Sequence, residues 1–403
     1  MNVTKKDGTH EGWDWDKIEV AIHKAAQRAN ATYSEYDIGK IRGYIESTVY
    51  SNYAEVPTEK LHAIVIEALC KYAPKIGESY KEFRDYKNTY AKSFEKVKDE
   101  ADNVLLLGDR ENANFDSSLV STKGSLIKGY LTKELYRQFY LSKEEKELTK
   151  RGDIYIHDMR DMLMGSVNCC LFDIGNVLRG GFSMSNVDYT EPTSVLSALQ
   201  VIGDITLVAT AQQFGGFSLS QLDMVLLPYC HKTLEKAYEH AKHSFPDAGR
   251  FAWIAYSKDT LKNELKQGFQ SLELKLNTVP CSRGDFAFTT ISFGCWNAPQ
   301  WLGRYLTNKD LWILKEICEA ILTTRMNGHG ENHKPVVFPK LVYLYEENYL
   351  SAFQEARDVF ELAIECSSKC MYPDFLSLTG DWAHSSVGKQ YMENKQVVTP
   401  MGA

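Results

Sequence analysis

No run in this sequence approaches the roughly 18 uninterrupted apolar residues that a membrane-crossing helix needs. No apolar stretch follows the charged residues 1–8, so no signal peptide is expected. Positive charge is not in excess either: 46 lysines and arginines face 53 aspartates and glutamates, for a net charge of −7 at pH 7. A long nucleic-acid footprint needs a basic surface that releases counterions, and none is expected here. There remains room for a small polyanion held by a few local lysines. Regular cysteine spacing is missing as well. Nine cysteines, an odd number, lie scattered along the chain, which is the usage of reduced thiols and not of a secreted disulfide framework. Internal repeats and low-complexity linkers are absent. A cytoplasmic chain with no nucleic-acid or membrane partner is the expectation.

What is present is ordinary folded-protein composition, 44% hydrophobic and 25% charged. A chain of 403 residues has the length for two or three domains with a large core. Residues 1–92 have the pattern of a compact helical module. After an extended start over residues 2–6 and a turn at Asp7-Gly8, Asp14 offers an N-cap before Ile18, Ile22, Ala25 and Ala29 at helical spacing. Ile38, Ile41, Ile45 and Val49 mark a second helix. Pro57-Thr58-Glu59 opens a third, with Leu61, Ile64, Val65, Ala68, Leu69 and Tyr72 as its stripe, and residues 76–92 form a fourth. These stripes are core faces. Lys5, Lys6, Lys17 and His62 fall at element ends around the module, where point charges and a helix N-terminus suit a triphosphate. The competing interpretation is a solvated basic edge.

Residues 93–150 are charged and helical, with a polar turn over 111–118, and lead into a second domain. From 151 the pattern alternates short β-rich runs (154–157, 167–172, 286–293, 336–345) with helices, the long one spanning 194–213. Helices between such strands predict parallel pairing, in a barrel or a wound sheet. The densest chemistry lies at the start of this region. A turn at Gly152-Asp153, a His157-Asp158 pair and the adjacent Cys169-Cys170 share one short stretch. On a strand, neighbours face opposite sides, so one cysteine can serve a cavity while the other packs; two inert core thiols are the alternative.

Metal binding is not expected. Cys366 and Cys370 lie four apart on a helical pattern, with no second pair at ligand spacing. His329-Gly330-Glu331-Asn332-His333 is a Gly/Asn loop that lacks the zincin order. Gly328 and Gly330 beside Arg325 could approach a phosphate, against the alternative of an ordinary surface loop.

Val3-Thr4-Lys5-Lys6-Asp7-Gly8, Glu11, Asp16-Lys17-Ile18, Val56-Pro57-Thr58 and His62 together resemble the ATP-cone, a regulatory nucleotide module of ribonucleotide reductases. The resemblance implies that Lys5, Lys6, Glu11, Lys17, Thr58 and His62 contact ATP or dATP as allosteric effectors. Lys6 departs from the family's usual Arg, which keeps the charge and loses a bidentate fork.

His157-Asp158, Asn168-Cys169-Cys170-Leu171-Phe172-Asp173, Gly181-Phe182, Asn186, Gly215-Gly216, residues 335–341, residues 366–374 and Thr399-Pro400-Met401-Gly402 resemble, in family order, the anaerobic (class III) ribonucleoside-triphosphate reductases. The resemblance implies an α/β fold: an ATP-cone over 1–92, a helical connector over 93–150, and over 151–403 part of the ten-stranded barrel of glycyl-radical enzymes. It implies reduction of ribonucleoside triphosphates to 2′-deoxyribonucleotides by thiyl and glycyl radical chemistry. Formate would be the reductant, a radical S-adenosylmethionine enzyme the activase, and a second copy the dimer partner. Cys169 would supply hydrogen to the sugar, with Met401 shaping the formate pocket.

Two departures stand out. The family has its thiyl cysteine where this chain has Ala403, and its glycyl-radical loop and four-cysteine zinc site would follow. The chain is therefore expected to be an incomplete, separately inactive part of the enzyme. Thr193 stands where relatives commonly carry the lysine of a deoxynucleotide specificity site. The rivals are a glycyl-radical enzyme of the pyruvate formate-lyase type, which has no need of an ATP-cone, and a non-catalytic nucleotide-binding regulator.

Overall fold

The computed structural model describes residues 1–106, 116, 118–165, 167–184, 186–213, 215–281, 284–379 and 393. The chain divides into two compact units, Met1–Asp99 and Glu100–Ala403.

The first unit holds a three-stranded sheet and four helices: β1 (Asn2–Thr4), β2 (His10–Gly12), α1 (Trp15–Arg28), α2 (Glu35–Asn52), β3 (Glu55–Pro57), α3 (Thr58–Tyr72) and α4 (Pro74–Leu106). β1 is central, antiparallel to β2 and parallel to β3. The helical stripes bury as the spacing predicts: Ile22, Ala25, Ile41, Ile45, Val49, Val65, Ala68 and Leu69 are all within 1% of full burial. Asp14 caps α1 by accepting from Asp16 N, and Ser34 with Asp37 forms a capping box on α2. α3 ends at Tyr72, and Pro74 opens α4, where its missing N–H costs nothing. One expectation needs correction: the fourth helix runs from Pro74 to Leu106, beyond the expected 76–92. Strands β2 and β3 did not register in the sequence, because three residues are too few to display a period.

The second unit begins with α5 (Val120–Phe139) and α6 (Lys143–Arg151), then β4 (Cys170–Leu171), α7 (Ile174–Leu178), β5 (Phe182–Met184), β6 (Val187–Tyr189) and α8 (Val195–Thr210). It continues with β7 (Phe217–Leu219), α9 (Leu222–Ser244), α10 (Gly249–Thr278), β8 (Thr289–Phe293), α11 (Asn308–Asn327), β9 (Lys340–Tyr345), α12 (Glu347–Ala352), α13 (Gln354–Cys370) and β10 (Asp374–Ser377). Strands β4, β7, β8, β9 and β10 form one parallel sheet, adjacent in space in the order in which they occur in the chain. Each crossover thus adds its strand on the same side. That is the winding of a barrel, whereas a doubly wound sheet reverses direction partway. β5 and β6 form a separate hairpin.

The expected strand over 154–157 does not form. Gly152 ends α6 in the left-handed conformation, Asp158 takes φ 53°, and Tyr155 is 83% exposed. A β-branched and aromatic run between two chain reversals had no neighbour to pair with. The expected long helix over 194–213 is α8, of 16 residues, and both α9 with 23 and α10 with 30 exceed it.

Candidate functional site

In the first unit the sheet and the start of α3 bring the expected residues together. A pocket of about 130 Å³ is lined by Lys5, Glu11, Lys17, Thr58 and His62 together with Tyr80. Lys6, also expected here, is not among the lining residues and pairs with Glu59 at 3.5 Å. Lys5 and Lys17 both pair with Glu11, and Thr58 Oγ1 donates to the Thr4 carbonyl at 2.9 Å. The N-cap of α3 is Pro57, which provides no side-chain cap, so the first N–H groups of a 15-residue helix remain available beside the lysines. His62 Nδ1 lies 2.8 Å from the Tyr80 hydroxyl. Burial, followed by the charges of Arg84, Lys6, Lys87 and Lys5, holds the His62 imidazole down to about 4. It is neutral at pH 7 within a cationic ring. Burial pushes the Tyr80 phenol up to about 12.

In the second unit Cys169 lies just before β4, at the end of the sheet where Gln213, Gly215 and Gly216 run alongside. Gly216 N donates to Cys169 Sγ at 3.2 Å, and Cys169 Sγ donates to Asn168 Oδ1 at 3.3 Å. The backbone closes around them, with Gly215 N on the Asn168 carbonyl at 2.6 Å and Cys170 N on the Gly216 carbonyl at 3.0 Å. Buried Gln213 donates through Nε2 to the carbonyls of Gly215 (3.0 Å) and Gly216 (2.7 Å), fixing this loop. A Cβ at Gly215 would stand 2.1 Å from Asn168 Oδ1 and 2.6 Å from Cys169 Sγ, so only glycine fits. Cys169 is half-buried; Cys170 packs against the core and burial raises its thiol. A cavity of about 430 Å³ opens beside Gln213, with Ser121, Lys128, Thr132 and Arg160 among its walls.

Other expected residues lie elsewhere. His157 and Asp158 pair with each other on an exposed turn. Arg325 is not available to a phosphate: it is 1% exposed, donates from Nε to Glu273 at 2.9 Å and from Nη2 to the Pro339 carbonyl. His329 Nε2 meets the other oxygen of Glu273 at 3.0 Å, so the Gly/Asn loop is tied down by a buried ion pair. Cys366 and Cys370 lie one turn apart on α13, and burial pushes the Cys366 thiol up to about 12. Among the described residues no cluster of three or more His, Cys, Asp or Glu could hold a metal ion. Thr193 meets a lysine after all, accepting from Lys236 Nζ on α9 at 2.7 Å. Met401 and Ala403 lie outside the described residues.

The model of anaerobic ribonucleoside-triphosphate reductase matches residues 111–403, and that of the ATP cone domain matches residues 1–89. The chain belongs to the anaerobic ribonucleoside-triphosphate reductase family. It is 30% identical over 389 residues to the anaerobic ribonucleoside-triphosphate reductase of Haemophilus influenzae, covering 94% of this chain and 52% of that one. Its identity to the Enterobacteria phage T4 enzyme of the same name is 32% over 295 residues, covering 72% and 44% of the two chains. Among solved structures it is similar to the anaerobic ribonucleotide reductase from Thermotoga maritima in complex with dATP and CTP. There the TM-score is 0.48 at 16% identity, covering 74% of this chain and 50% of that one. The chain spans about half the length of the curated relatives it matches. Membership of this reductase family removes the pyruvate formate-lyase type from consideration. Among the described residues no helix is long and apolar enough to cross a membrane.

Two structural groups were missed in the sequence. Asp223, fully buried in the first turn of α9, accepts from Gly294 N and Cys295 N, both at 2.9 Å. Burial raises its carboxyl to about 6. Asp310 accepts from Arg304, Thr307 and His231. Their signals were an acid inside an apolar run and a Thr-x-x-Asp capping pattern.

Proposed function

We propose that the enzyme to which this chain contributes reduces ribonucleoside triphosphates to 2′-deoxyribonucleotides, with Cys169 as the hydrogen donor to the sugar. The observation that carries the reading is the setting of Cys169. Its sulfur is half-exposed and oriented by Gly216 N–H and Asn168, in a backbone cradle that admits no side chain at position 215. A thiol whose only task was packing would not need both hydrogen-bond directions fixed at the mouth of a sheet. In this reading the sugar's 2′ C–O bond breaks and its hydroxyl leaves with a proton as water, while a hydrogen atom from the Cys169 S–H replaces it on carbon, the two electrons of the reduction coming from formate. Formate, oxidised to carbon dioxide, restores the hydrogen.

The glycyl radical and zinc site belong to the C-terminal region of the family, and a radical S-adenosylmethionine activase and a second copy of the chain are the proposed partners. Met401 is proposed to shape the formate site. The pocket of the first unit is proposed to take ATP or dATP, through Lys5, Lys6, Glu11, Lys17, Thr58 and His62. The proposed organisation is a cone over 1–92, a connector over 93–150 and the first part of a ten-stranded barrel thereafter. Titration calorimetry with ATP and dATP tests the cone: micromolar binding that Lys5→Ala and Lys17→Ala weaken is expected, and no heat with either nucleotide would refute it.

A further inference from the structure

We infer that Gln213 is a positioning residue for the thiol chemistry at Cys169: its side-chain amide holds the Gly215–Gly216 peptide so that this peptide aims the Cys169 sulfur and its hydrogen. The assignment rests on the reading of Cys169 as hydrogen donor. Its ground is the direction of the hydrogen bonds. Gln213 Nε2 donates to the Gly215 carbonyl at 3.0 Å. That carbonyl belongs to the same peptide unit as Gly216 N–H, which donates to Cys169 Sγ at 3.2 Å. The sulfur in turn donates to Asn168 Oδ1 at 3.3 Å. Every bond in the series therefore runs in one sense, from the Gln213 amide through the peptide and the sulfur to Asn168. A chain so directed polarises itself, each acceptor becoming a better donor. Electron density drawn toward the Gly215 oxygen strengthens Gly216 N–H as a donor, and the sulfur that accepts from it holds its own hydrogen more firmly on Asn168.

Residue type and burial both fit the task. A primary amide nitrogen carries two hydrogens, and Gln213 uses both. The second goes to the Gly216 carbonyl at 2.7 Å, which also accepts from Cys170 N at 3.0 Å. One side chain thus grips the peptides on either side of Gly216, and neither can rotate without breaking a bond. Gln213 is only 3% exposed, so water is not at hand to replace a lost donor. Its backbone is placed as well, pairing with Val167 in a parallel bridge beside the Cys169 segment. Two successive glycines leave the chain with wide conformational freedom and no side chain to pack. The orientation of their peptide has to be imposed from outside, and Gln213 imposes it. A glutamate of the same shape would set carboxylate oxygens against two carbonyl oxygens, with no hydrogen to give.

Gln213→Met keeps the length of the side chain and removes both donors; Gln213→Glu keeps its shape and opposes the carbonyls. Two measurements separate aiming from mere support. On the chain alone, the Raman difference between the unmodified protein and Cys169→Ser isolates the Cys169 S–H stretch. The same difference taken in the Gln213→Met background should lie at higher frequency, because a weaker bond to Asn168 leaves the S–H bond stiffer. The second measurement is the anaerobic reaction with formate, the activase and a C-terminal polypeptide that supplies the thiyl cysteine. There Gln213→Met should lower kcat about ten-fold or more with KM unchanged, since the loss falls on the geometry of the reacting sulfur and not on substrate binding. Where the Met variant melts well below the parent, Gln213→Glu carries both measurements, with the same directions expected. An S–H band or a kcat equal to the parent's, in a variant that melts as the parent does, would overturn the role of Gln213 alone, as would a raised KM at unchanged kcat. Product at the parental rate from Cys169→Ser would overturn the reading of Cys169 and this one with it.

Discussion

At the scale of single residues, two positions carry sharp consequences. Gly215→Ala places a methyl group against Asn168 Oδ1 and Cys169 Sγ. It is expected to cost about 1–3 kcal/mol of stability from overpacking, and to displace the sulfur; thermal unfolding and the alkylation rate of Cys169 check it. His62 predicts a pH effect whose sign follows from burial. Its folded midpoint of about 4 lies below the ordinary 6.5, so between those values the unfolded chain binds the extra proton. Stability is therefore full above about pH 6.5 and falls as pH drops toward 4. His62→Gln should flatten that slope in a urea-melt series from pH 4 to 7. A bound polyphosphate should raise the imidazole's midpoint and make binding take up a proton. That Lys5, Lys17 and His62 would converge on one pocket was legible because charges at element ends stand out against apolar stripes.

Among elements, helical periodicity was the readable signal and short strands were not. α1, α2, α3 and α8 follow stripes of apolar residues at three and four, and their caps, Asp14, Ser34 and Ser194, could be recognised by type. β7 has three residues, all buried, and a fully buried strand of that length has neither alternation nor length to distinguish it from a loop. The run over 154–157 failed in the opposite sense, having strand composition and no partner. Buried acids tie the helices to the sheet and to one another. Asp223 joins the start of α9 to the turn after β8. Asp310 completes a capping box with Thr307 at the start of α11 and receives Arg304 and His231. Burial pushes the Asp310 carboxyl up, but the bonds from Arg304, Thr307 and His231 outweigh it and hold it below the ordinary 3.8. Its contribution is present above that value and is lost as pH falls through the folded midpoint. Asp310→Asn is expected to cost about 1–3 kcal/mol, and the difference from the parent in denaturant melts should shrink as pH falls below about 3.8.

For the molecule as a whole, the two units have separate cores, so calorimetric unfolding is expected in two transitions. ATP should raise only that of the first unit, by about 2.7 kcal/mol at a hundred times the dissociation constant. A single transition shifted as one would contradict this. The parallel pairing of the five strands was implicit in the alternation of strands and helices. Their consecutive order, and with it the choice of barrel winding over a reversing sheet, was not, since periodicity does not record which side a crossover takes. The account's central claim is that Cys169 delivers hydrogen to a ribonucleotide. The direct measurement is deoxyribonucleotide formation under anaerobic conditions, with formate, the activase and a C-terminal polypeptide that supplies the family's remaining length, including its thiyl cysteine. The account predicts product with Cys169 and none above background with Cys169→Ser, with ATP affinity equal in both. Product at the same rate from the serine variant would contradict it and return Cys169 to a packing role.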